Sequence, residues 1–301
     1  MDPHKDMPSN YGGDDLHFTD PATSRVTVIP VPYDATTSYI GGTAKGPAAI
    51  IEASTHMELY DEELEQETCG IGIHTTMPLP VHDEPPEAML RMVTEAVSRH
   101  LATDKLPVIL GGEHSITPAI VEGLGQQTGA QSALGVLVLD AHLDLREEYG
   151  CTKASHACAS RRILEKDGLA GYASIGIRSG SREEFVWAGE NGISYYTARQ
   201  VREEGVDAVL DRAMERLQCE RLYLSIDLDV LDPAYAPAVG NPEPFGLSSW
   251  DVQRVIERLA PRLVGLDINE LTPAYDRGET ALLAARLARE FIAARAKHKI
   301  L

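Results

Sequence analysis

The chain has 301 residues, of which 43% are hydrophobic and 24% are charged. This composition is typical of a globular protein with a large buried core, and single α/β domains often reach this length. The formal net charge of -19 disfavours binding to nucleic acid or to an anionic membrane, and it would concentrate a small cationic ligand around the protein.

The sequence shows neither a membrane span nor a secretory leader. No apolar run reaches the roughly 18 residues that a membrane helix needs, and the N-terminus lacks the apolar core of a signal peptide. The four cysteines include no Cys-x-x-Cys pair and are too sparse for a disulfide scaffold. We therefore expect a cytoplasmic protein whose thiols are free and mostly buried.

The segment 1–25 is polar and rich in Asp, Pro and Gly. This bias predicts an N-terminal arm, loosely ordered or packed on a partner, rather than a domain of its own. No internal repeat or linker follows, so residues 26–301 are expected to form a single domain.

Six short apolar runs, separated by helical patterns, follow the arm in chain order. They cover residues 26–31, 107–110, 135–139, 173–177, 221–226 and 263–266. Continuous apolar runs of this length are typical of strands in a parallel sheet that is covered on both faces.

Helical spacing of apolar side chains appears between these runs. It is followed by Met89, Met92, Val93, Ala96 and Val97, and, after Gly278, by Leu283, Leu287 and Phe291. The alternation of strand and helix predicts an α/β fold of three layers (αβα), in which a mostly parallel sheet is covered by helices on both faces.

Four of the six runs end in polar motifs. These motifs are Gly111–Thr117, Asp140–Asp144, Asp227–Pro233 and Asp267–Glu270. Ligands in open α/β sheets bind beyond the carboxyl ends of the strands. Side chains at i, i+2 and i+4 of an extended segment point to one side, so Asp140, His142 and Asp144 could converge. Asp227 and Asp229 could converge in the same way.

Each aspartate could instead cap a helix, but carboxylates at several neighbouring strand ends would be hard to stabilise without cations. Imidazole and carboxylate ligands without thiolate suit an ion such as Mn(II), and argue against a structural cysteine zinc site. Four aspartates would balance two divalent ions. A bridging hydroxide would then leave the cluster slightly anionic, and two ions would lower the pKa of that shared water.

Taken together and in this order, the motifs resemble the ureohydrolase family, which contains arginases and agmatinases, and most closely the archaeal and bacterial type of agmatinase. The resemblance covers nearly the whole chain. It is carried by residues 41–47, 111–115, 140–144, 155–156, 225–233 and 265–270. It implies an arginase-like fold and a catalytic domain over residues 26–301.

The resemblance also implies two Mn(II) ions per subunit. One ion would be held by His114, Asp140, Asp144 and Asp227, and the other by Asp140, His142, Asp227 and Asp229. Asp140 and Asp227 would therefore bridge the two ions. The bridging hydroxide would attack the guanidino carbon, which releases urea and an amine.

Further residues receive roles in the reaction from the resemblance. Glu270 would clasp the guanidinium, His156 would shuttle protons, and Asp144 would carry a proton to the leaving nitrogen. Asn241 and His156 would contact the substrate, as would Glu270. From local sequence alone, a loop histidine such as His156 is more often solvated, and Glu270 is interpreted as a surface carboxylate.

The loop that follows Asp144 bears on the substrate. Residues 145–154 lack the Asn- and Ser-containing pattern with which arginases hold the α-carboxylate of arginine. The acidic pair Glu147 and Glu148 would suit a terminal ammonium, whereas Arg146 and Lys153 would reverse that argument if they faced the pocket. We expect agmatine, a small cationic guanidino compound, which would be converted to putrescine for polyamine biosynthesis. Aminopropylagmatine, guanidinobutyrate and arginine are the alternatives.

Three residues depart from the commoner family pattern, namely Ala157, Asn241 and Phe245. They are expected to lie close enough to the pocket to change the length of substrate that it accepts. Two readings from other classes stay open at this point. One is a single-zinc deacetylase, and the other is a non-catalytic binding protein on the same scaffold. Family members are usually trimers or hexamers, so a homo-oligomer is expected.

Overall fold

The computed structural model describes residues 10–298 except 15, 59, 63–64, 102 and 127–133. Its strands are β1 (Val26–Val31), β2 (Tyr60–Asp61), β3 (Gln66–Glu67), β4 (Ile73–Thr75), β5 (Leu106–Gly111), β6 (Leu134–Leu139), β7 (Leu169–Ile177), β8 (Tyr195–Thr197), β9 (Arg221–Asp227) and β10 (Leu263–Asn269). Its helices are α1 (Leu16–Thr19), α2 (Gly46–Ser54), α3 (Pro86–Leu101), α4 (Thr117–Gln126), α5 (Ala159–Leu164), α6 (Arg182–Glu190), α7 (Ala198–Glu204), α8 (Val206–Leu217), α9 (Ser249–Leu259) and α10 (Glu279–Lys297).

Eight of the strands form one sheet in the order β4-β1-β5-β10-β9-β6-β7-β8, and every neighbouring pair is parallel. The six apolar runs are strands β1, β5, β6, β7, β9 and β10, as predicted. The outermost strands, β4 and β8, were not predicted, because each has only three residues and so gives little periodic signal.

Helices cover both faces of the sheet, which confirms the three-layer arrangement. Alternate side chains of each strand enter different cores. Val28 belongs to the core that contains residues of α2 and α7–α10, and its neighbour Ile29 belongs to the core that contains residues of α3, α4 and α5. This alternation explains why the runs are apolar throughout, since neither strand face meets water.

The four strands that precede the polar motifs are adjacent at the centre of the sheet, in the order β5-β10-β9-β6. Because all four are parallel, their carboxyl ends lie at the same edge. Leu139 of β6 is in register with Ile226 of β9, and Asp227 with Asn269 of β10. The four polar motifs, which are distant in the sequence, therefore lie together at one edge of the sheet.

The described part of the N-terminal arm packs on the domain, whereas residues 1–9 lie outside the described residues. The Tyr11 hydroxyl donates to the Ala285 carbonyl at 2.6 Å, and the Thr75 backbone N–H donates to Asn10 Oδ1 at 2.8 Å. Tyr11 is 2% exposed. These contacts join the arm to α10 and to the edge strand β4.

The predicted helix faces and thiols are found as expected. Met89, Val93 and Val97 of α3 are buried, and α10 begins immediately after Gly278, which adopts φ 105° at the N-cap. None of the four cysteines, all of which lie in the described part of the chain, forms a disulfide, and Cys151 is the exposed one. Among the described residues, no helix is both long and apolar enough to cross a membrane.

The end of β5 is packed against backbone, which gives a test of the fold. A Cβ atom at Gly112 would lie 2.0 Å from the Tyr33 carbonyl oxygen. Backbone cannot rotate away as a side chain can, so we expect Gly112→Ala to lower the free energy of unfolding by about 2 kcal/mol in urea denaturation.

The matched control for this test is Gly189→Ala in α6, where an added Cβ meets nothing within 4 Å. Helix propensity should there raise the free energy of unfolding by about 0.5–1 kcal/mol. Equal effects of the two substitutions would contradict the packing described for the end of β5.

Candidate metal centre

The first cluster of candidate ligands surrounds His114, in the helical turn after β5. Its Nδ1 lies 3.1 Å from Asp140 Oδ2, 3.3 Å from Asp227 Oδ2 and 3.4 Å from Asp144 Oδ2. The imidazole is 1% exposed and Asp140 is fully buried. The loops after β5, β6 and β9 thus bring one imidazole and three carboxylates together away from water.

The second cluster surrounds His142. Its Nδ1 lies 2.9 Å from Asp229 Oδ2 and 3.7 Å from Asp140 Oδ1. Asp140 therefore turns one oxygen toward His114 and the other toward His142. Within the described part of the chain, two groups of residues could hold a metal ion by their geometry. One is His114 with Asp140 and Asp227, and the other is Asp140 with His142 and Asp229, so Asp140 is common to both.

Backbone geometry holds these carboxylates in place. Asp227 Oδ1 accepts from the Asp229 N–H at 2.9 Å, and Asp229 Oδ1 accepts from the Ala141 N–H at 3.0 Å, which ties the loop after β9 to the loop after β6. Asp144 has φ 50° and Glu270 has φ 69°. Such left-handed backbone is uncommon outside glycine and is often found at functional sites.

The protonation of His114 shows what the first cluster requires. Its Nε2 lies 3.0 Å from Ser225 Oγ, and the Ser225 hydroxyl donates to Asp267 Oδ1 at 2.5 Å. Ser225 has one proton, so it must accept from His114 Nε2–H. In the neutral ring the lone pair of Nδ1 then faces the three carboxylates. Burial lowers the pKa of His114, but these aspartates raise it well above its usual value, so the cluster takes up a proton or a metal cation at its centre.

Unsatisfied atoms and perturbed acidities agree with that conclusion. His114 Nδ1 and Asp140 Oδ2 are buried and have no hydrogen-bond partner among the described residues, since their 3.1 Å separation lacks hydrogen-bond geometry. Burial and the nearby aspartates raise the pKa of Asp140 well above its usual value, and burial and Asp229 raise the pKa of Asp227 to about 7. The residues present therefore fit a group of divalent cations.

In the second cluster the pKa values of the histidine and of its aspartate partner move in opposite directions. Burial alone would lower the pKa of His142, but Asp229 raises it to about 11. Burial would likewise raise the pKa of Asp229, but the contact with His142 lowers it to about 2. Without a cation, a proton on His142 compensates the carboxylates, and a divalent ion would replace that proton.

Two residues that were not predicted from the sequence, Glu243 and Arg178, support the second cluster without being among its candidate ligands. Glu243 Oε1 lies 3.6 Å from His142 Nε2, the nitrogen that faces away from Asp229. The half-buried Arg178 guanidinium donates to backbone carbonyls of loop 229–231 and of loop 243–244, at 2.6 Å for Asp229 and 2.7 Å for Glu243. Arg178 thus joins a ligand-bearing loop to the loop that places Glu243.

A cavity of about 270 Å³ opens beside the two clusters. Residues predicted for the site and found in its wall are His142, Asp144, His156, Asp227, Asp229, Asn241 and Glu270. Glu270 Oε1 accepts from the His114 backbone N–H at 2.7 Å, while Oε2 lies on the side of Gly240. Glu270 therefore offers a buried carboxylate to a cation in the cavity.

The rim of the cavity contains the other residues singled out from the sequence. His156 is 8% exposed, and the Tyr149 ring packs edge-on against its imidazole at 5.8 Å. Asn241 Nδ2 donates to Ser38 Oγ at 3.2 Å. Ala157 also lines the cavity, whereas Phe245 does not and is 88% exposed with φ 66°.

The acidic pair in loop 145–154 lies away from the cavity, so the prediction that it binds an ammonium group was wrong. Glu147 is exposed and paired with Lys153, Arg161 and Arg162, and neither Glu147 nor Glu148 lines the cavity. Helix α5 supplies the two arginines, which the local sequence did not place near Glu147. Lys153 does not line the cavity either.

Arg146, in contrast, lines the cavity. Its Nε lies 3.5 Å from Glu184 Oε2, and its guanidinium lies 5.2 Å from the Tyr149 ring centroid. Glu184 also accepts from the backbone N–H groups of Leu145 and Ser181. The rim therefore carries one arginine whose carboxylate partner is largely occupied.

Comparison with known proteins gives matches over most of the chain. A model of the arginase family matches residues 24–294. The chain is 34% identical over 278 residues to N(1)-aminopropylagmatine ureohydrolase of Synechocystis sp., which covers 90% of this chain and 89% of that protein. It is 34% identical over 273 residues to agmatinase of Bacillus cereus, which covers 89% and 91%.

A solved structure agrees with these matches. Agmatine ureohydrolase of Thermoplasma volcanium superimposes with a TM-score of 0.87 at 36% identity, over 97% of this chain and 96% of that one. The family match includes all four polar motifs and the strands that precede them. The chain therefore belongs to the arginase family, and it is a hydrolase of that family.

Proposed function

We propose that this protein is an agmatinase, which hydrolyses agmatine to putrescine and urea with two Mn(II) ions per subunit. The observation that carries the proposal is that two ligand groups share Asp140 and border a cavity that also contains Glu270. A guanidinium held by Glu270 would lie beside both groups.

The proposed ligands come from the two clusters, and Asp227 of the first cluster is proposed to serve the second ion as well. One ion would be held by His114, Asp140, Asp144 and Asp227, and the other by Asp140, His142, Asp227 and Asp229. Oxygen and imidazole ligands without thiolate favour Mn(II). When bound, two divalent ions would lower the pKa of a water molecule and so supply hydroxide at neutral pH.

The protein's own side chains bind the substrate and transfer its protons. Glu270 Oε2 accepts a charge-assisted hydrogen bond from the guanidinium and orients it, because Oε1 is occupied by the His114 N–H. Asp144 passes a proton to the leaving nitrogen, and His156 exchanges protons between the cavity and solvent. Asn241 contacts the substrate at the rim.

Charge supports a cationic substrate. The four aspartates of the two clusters offset the charge of two divalent ions, so Glu270 leaves the inner cavity anionic. At the rim, Arg146 and Glu184 offset one another. A guanidinium therefore fits the inner end, whereas the rim has no unpaired carboxylate for the terminal ammonium of agmatine among the residues that line it.

A second candidate substrate follows from the position of Arg146. Guanidinobutyrate has the same guanidino end as agmatine but carries a carboxylate at its other end, and Arg146 could pair with that carboxylate. The name of the Synechocystis relative adds aminopropylagmatine as a longer cationic substrate. The reaction is the same for all three compounds, and they differ only in the tail at the rim.

We further propose that residues 26–301 form one catalytic domain behind the arm 1–25, and that the protein acts as a homo-oligomer, a trimer or a hexamer, in polyamine biosynthesis. Support for the single domain comes from the continuous eight-stranded sheet. Support for the role in polyamine biosynthesis comes from putrescine, the proposed product.

Urea release is the direct test of the proposed function. Full-length protein incubated with Mn(II) is expected to release urea from agmatine with a higher kcat/KM than from aminopropylagmatine, guanidinobutyrate or arginine. Release of urea from a different compound would keep the reaction and change the substrate. No urea from any of the four would refute a ureohydrolase, and a single bound zinc would then favour the deacetylase reading.

Asp140→Asn tests whether one residue serves both ions. We expect the variant to lose both Mn(II) ions on dialysis, as measured by elemental analysis, because each cluster loses a carboxylate oxygen. The metal-free variant should be at least as stable as the metal-free parent in urea denaturation, since the substitution removes like-charge repulsion. A variant that keeps both ions would contradict the shared role of Asp140.

Arg146→Ala tests the rim. The substitution removes a positive charge near the substrate tail, so the ratio of kcat/KM for agmatine to that for guanidinobutyrate is expected to rise about fivefold, the scale of a partly exposed charge pair. The control is Lys153→Ala in the same loop, because Lys153 is 61% exposed and does not line the cavity. An unchanged ratio in Arg146→Ala would remove Arg146 from tail recognition.

A further inference from the structure

A chain of hydrogen bonds leads from the buried carboxylate of Glu113 through Thr36 to His156. Glu113 is fully buried; its Oε2 accepts from the Thr36 backbone N–H at 2.6 Å, and its Oε1 accepts from the hydroxyls of Thr36 at 2.5 Å and Ser115 at 2.6 Å. Thr36 Oγ1 accepts from the His156 backbone N–H at 3.0 Å and lies 3.2 Å from His156 Nδ1.

Counting protons along this chain fixes the tautomer of the imidazole. A hydroxyl has one proton and two lone pairs. The proton of Thr36 goes to Glu113, and one lone pair accepts the His156 backbone N–H. The remaining lone pair can only accept, so His156 Nδ1 must donate to it. Ser155 Oγ, at the longer distance of 3.4 Å, can also accept from Nδ1.

The other ring nitrogen has partners that agree with this assignment. His156 Nε2 lies 3.4 Å from Ser38 Oγ, which accepts from Asn241 Nδ2 at 3.2 Å. Ser38 can therefore give its own proton to Nε2, which carries the lone pair. Both Ser38 and Asn241 line the cavity, so Nε2 is the nitrogen on the cavity side.

We propose that Glu113 and Thr36 are positioning residues that hold His156 as the Nδ1–H tautomer, with the lone pair of Nε2 available at the cavity. The inference rests on the proposed proton transfer by His156. Nε2 takes a proton from the cavity to give an imidazolium, and its release to solvent restores the neutral ring. Throughout, Nδ1 keeps its proton on Thr36, so neither Thr36 nor Glu113 gains or loses one.

This assignment gives a function to a residue that the reaction otherwise leaves unused. Glu113 immediately precedes His114 at the end of β5. The two neighbouring side chains point in different directions. His114 lies in the first metal cluster, and Glu113 is linked to His156 through the Thr36 hydroxyl. One short segment therefore supports both the metal centre and the proton carrier.

Glu113→Gln is a specific test, because it should move the imidazole proton of His156 to the other ring nitrogen. A merely structural change would only make the position of the imidazole less fixed. The Thr36 backbone N–H can only donate, so the amide oxygen of glutamine must occupy the Oε2 position. The amide NH₂ then faces the Thr36 hydroxyl, which accepts from it and turns its own proton to His156 Nδ1. The imidazole proton is thereby expected on Nε2.

Nitrogen-15 NMR of the imidazoles reports the tautomer directly. The full chain would be loaded with Zn(II), since Mn(II) is paramagnetic, and the His156 signals among the 10 histidines would be identified by their loss in His156→Asn. We expect a protonated Nδ1 in the parent and a protonated Nε2 in Glu113→Gln. A protonated Nε2 in the parent, or an unchanged tautomer in Glu113→Gln, would overturn the proposal.

Kinetics of urea release supply a second readout. Thr36→Val should lower kcat for agmatine about 100-fold, the scale of general acid–base catalysis, with KM changed less than about threefold and metal content unchanged. Thr36→Ser keeps the hydroxyl and should restore kcat. Thr37→Val is the control, because the Thr37 hydroxyl donates to Asp34 and not to His156.

The outcomes separate this proposal from the proposed function. A chain that releases no urea from any guanidino compound would end the proposed function, and the NMR result would still decide the tautomer. Equal kcat in Thr36→Val and the parent, with agmatine hydrolysed normally, would overturn the positioning role and leave the proposed function standing.

Discussion

The site depends on one electrostatic constraint, namely that several atoms able to bind a proton or a cation are gathered in a buried place. The Nδ1 lone pair of His114 and the carboxylates of Asp140, Asp144 and Asp227 face one another within 3.4 Å. Such an arrangement is unfavourable unless positive charge lies at its centre. The central strands and the loops after them provide the rigid frame that keeps these groups together despite their repulsion.

The same hydrogen-bonding unit occurs twice around the cavity. A buried carboxylate binds a hydroxyl, and that hydroxyl binds an imidazole: Asp267, Ser225 and His114 in one case, Glu113, Thr36 and His156 in the other. In each unit the hydroxyl proton goes to the carboxylate, so the ring nitrogen beside the hydroxyl must donate. The opposite nitrogen of each ring then has a lone pair, which faces metal ligands in the first unit and the cavity in the second.

The sequence predicted the elements that are encoded locally. The six central strands have apolar runs of sufficient length, and Asp140, His142 and Asp144 follow one of those runs at the spacing that places them on one side. Arg178 and Glu243 could not be predicted, because Arg178 acts on backbone carbonyls from distant loops and Glu243 contacts an imidazole a hundred residues earlier. The error over Glu147 has the same origin, since arginines of α5 neutralise it.

The order of the central strands also governs when the metal centre can form during synthesis. Strand β10 lies between β5 and β9, and it is the last strand of the sheet to leave the ribosome. Until it is inserted, β5 with His114 has no neighbour on the side of β9 and β6, which carry the aspartates. A chain that ends before Leu263 therefore lacks the strand that joins His114 to the aspartates after β6 and β9, so the centre requires β10 as well as its ligands.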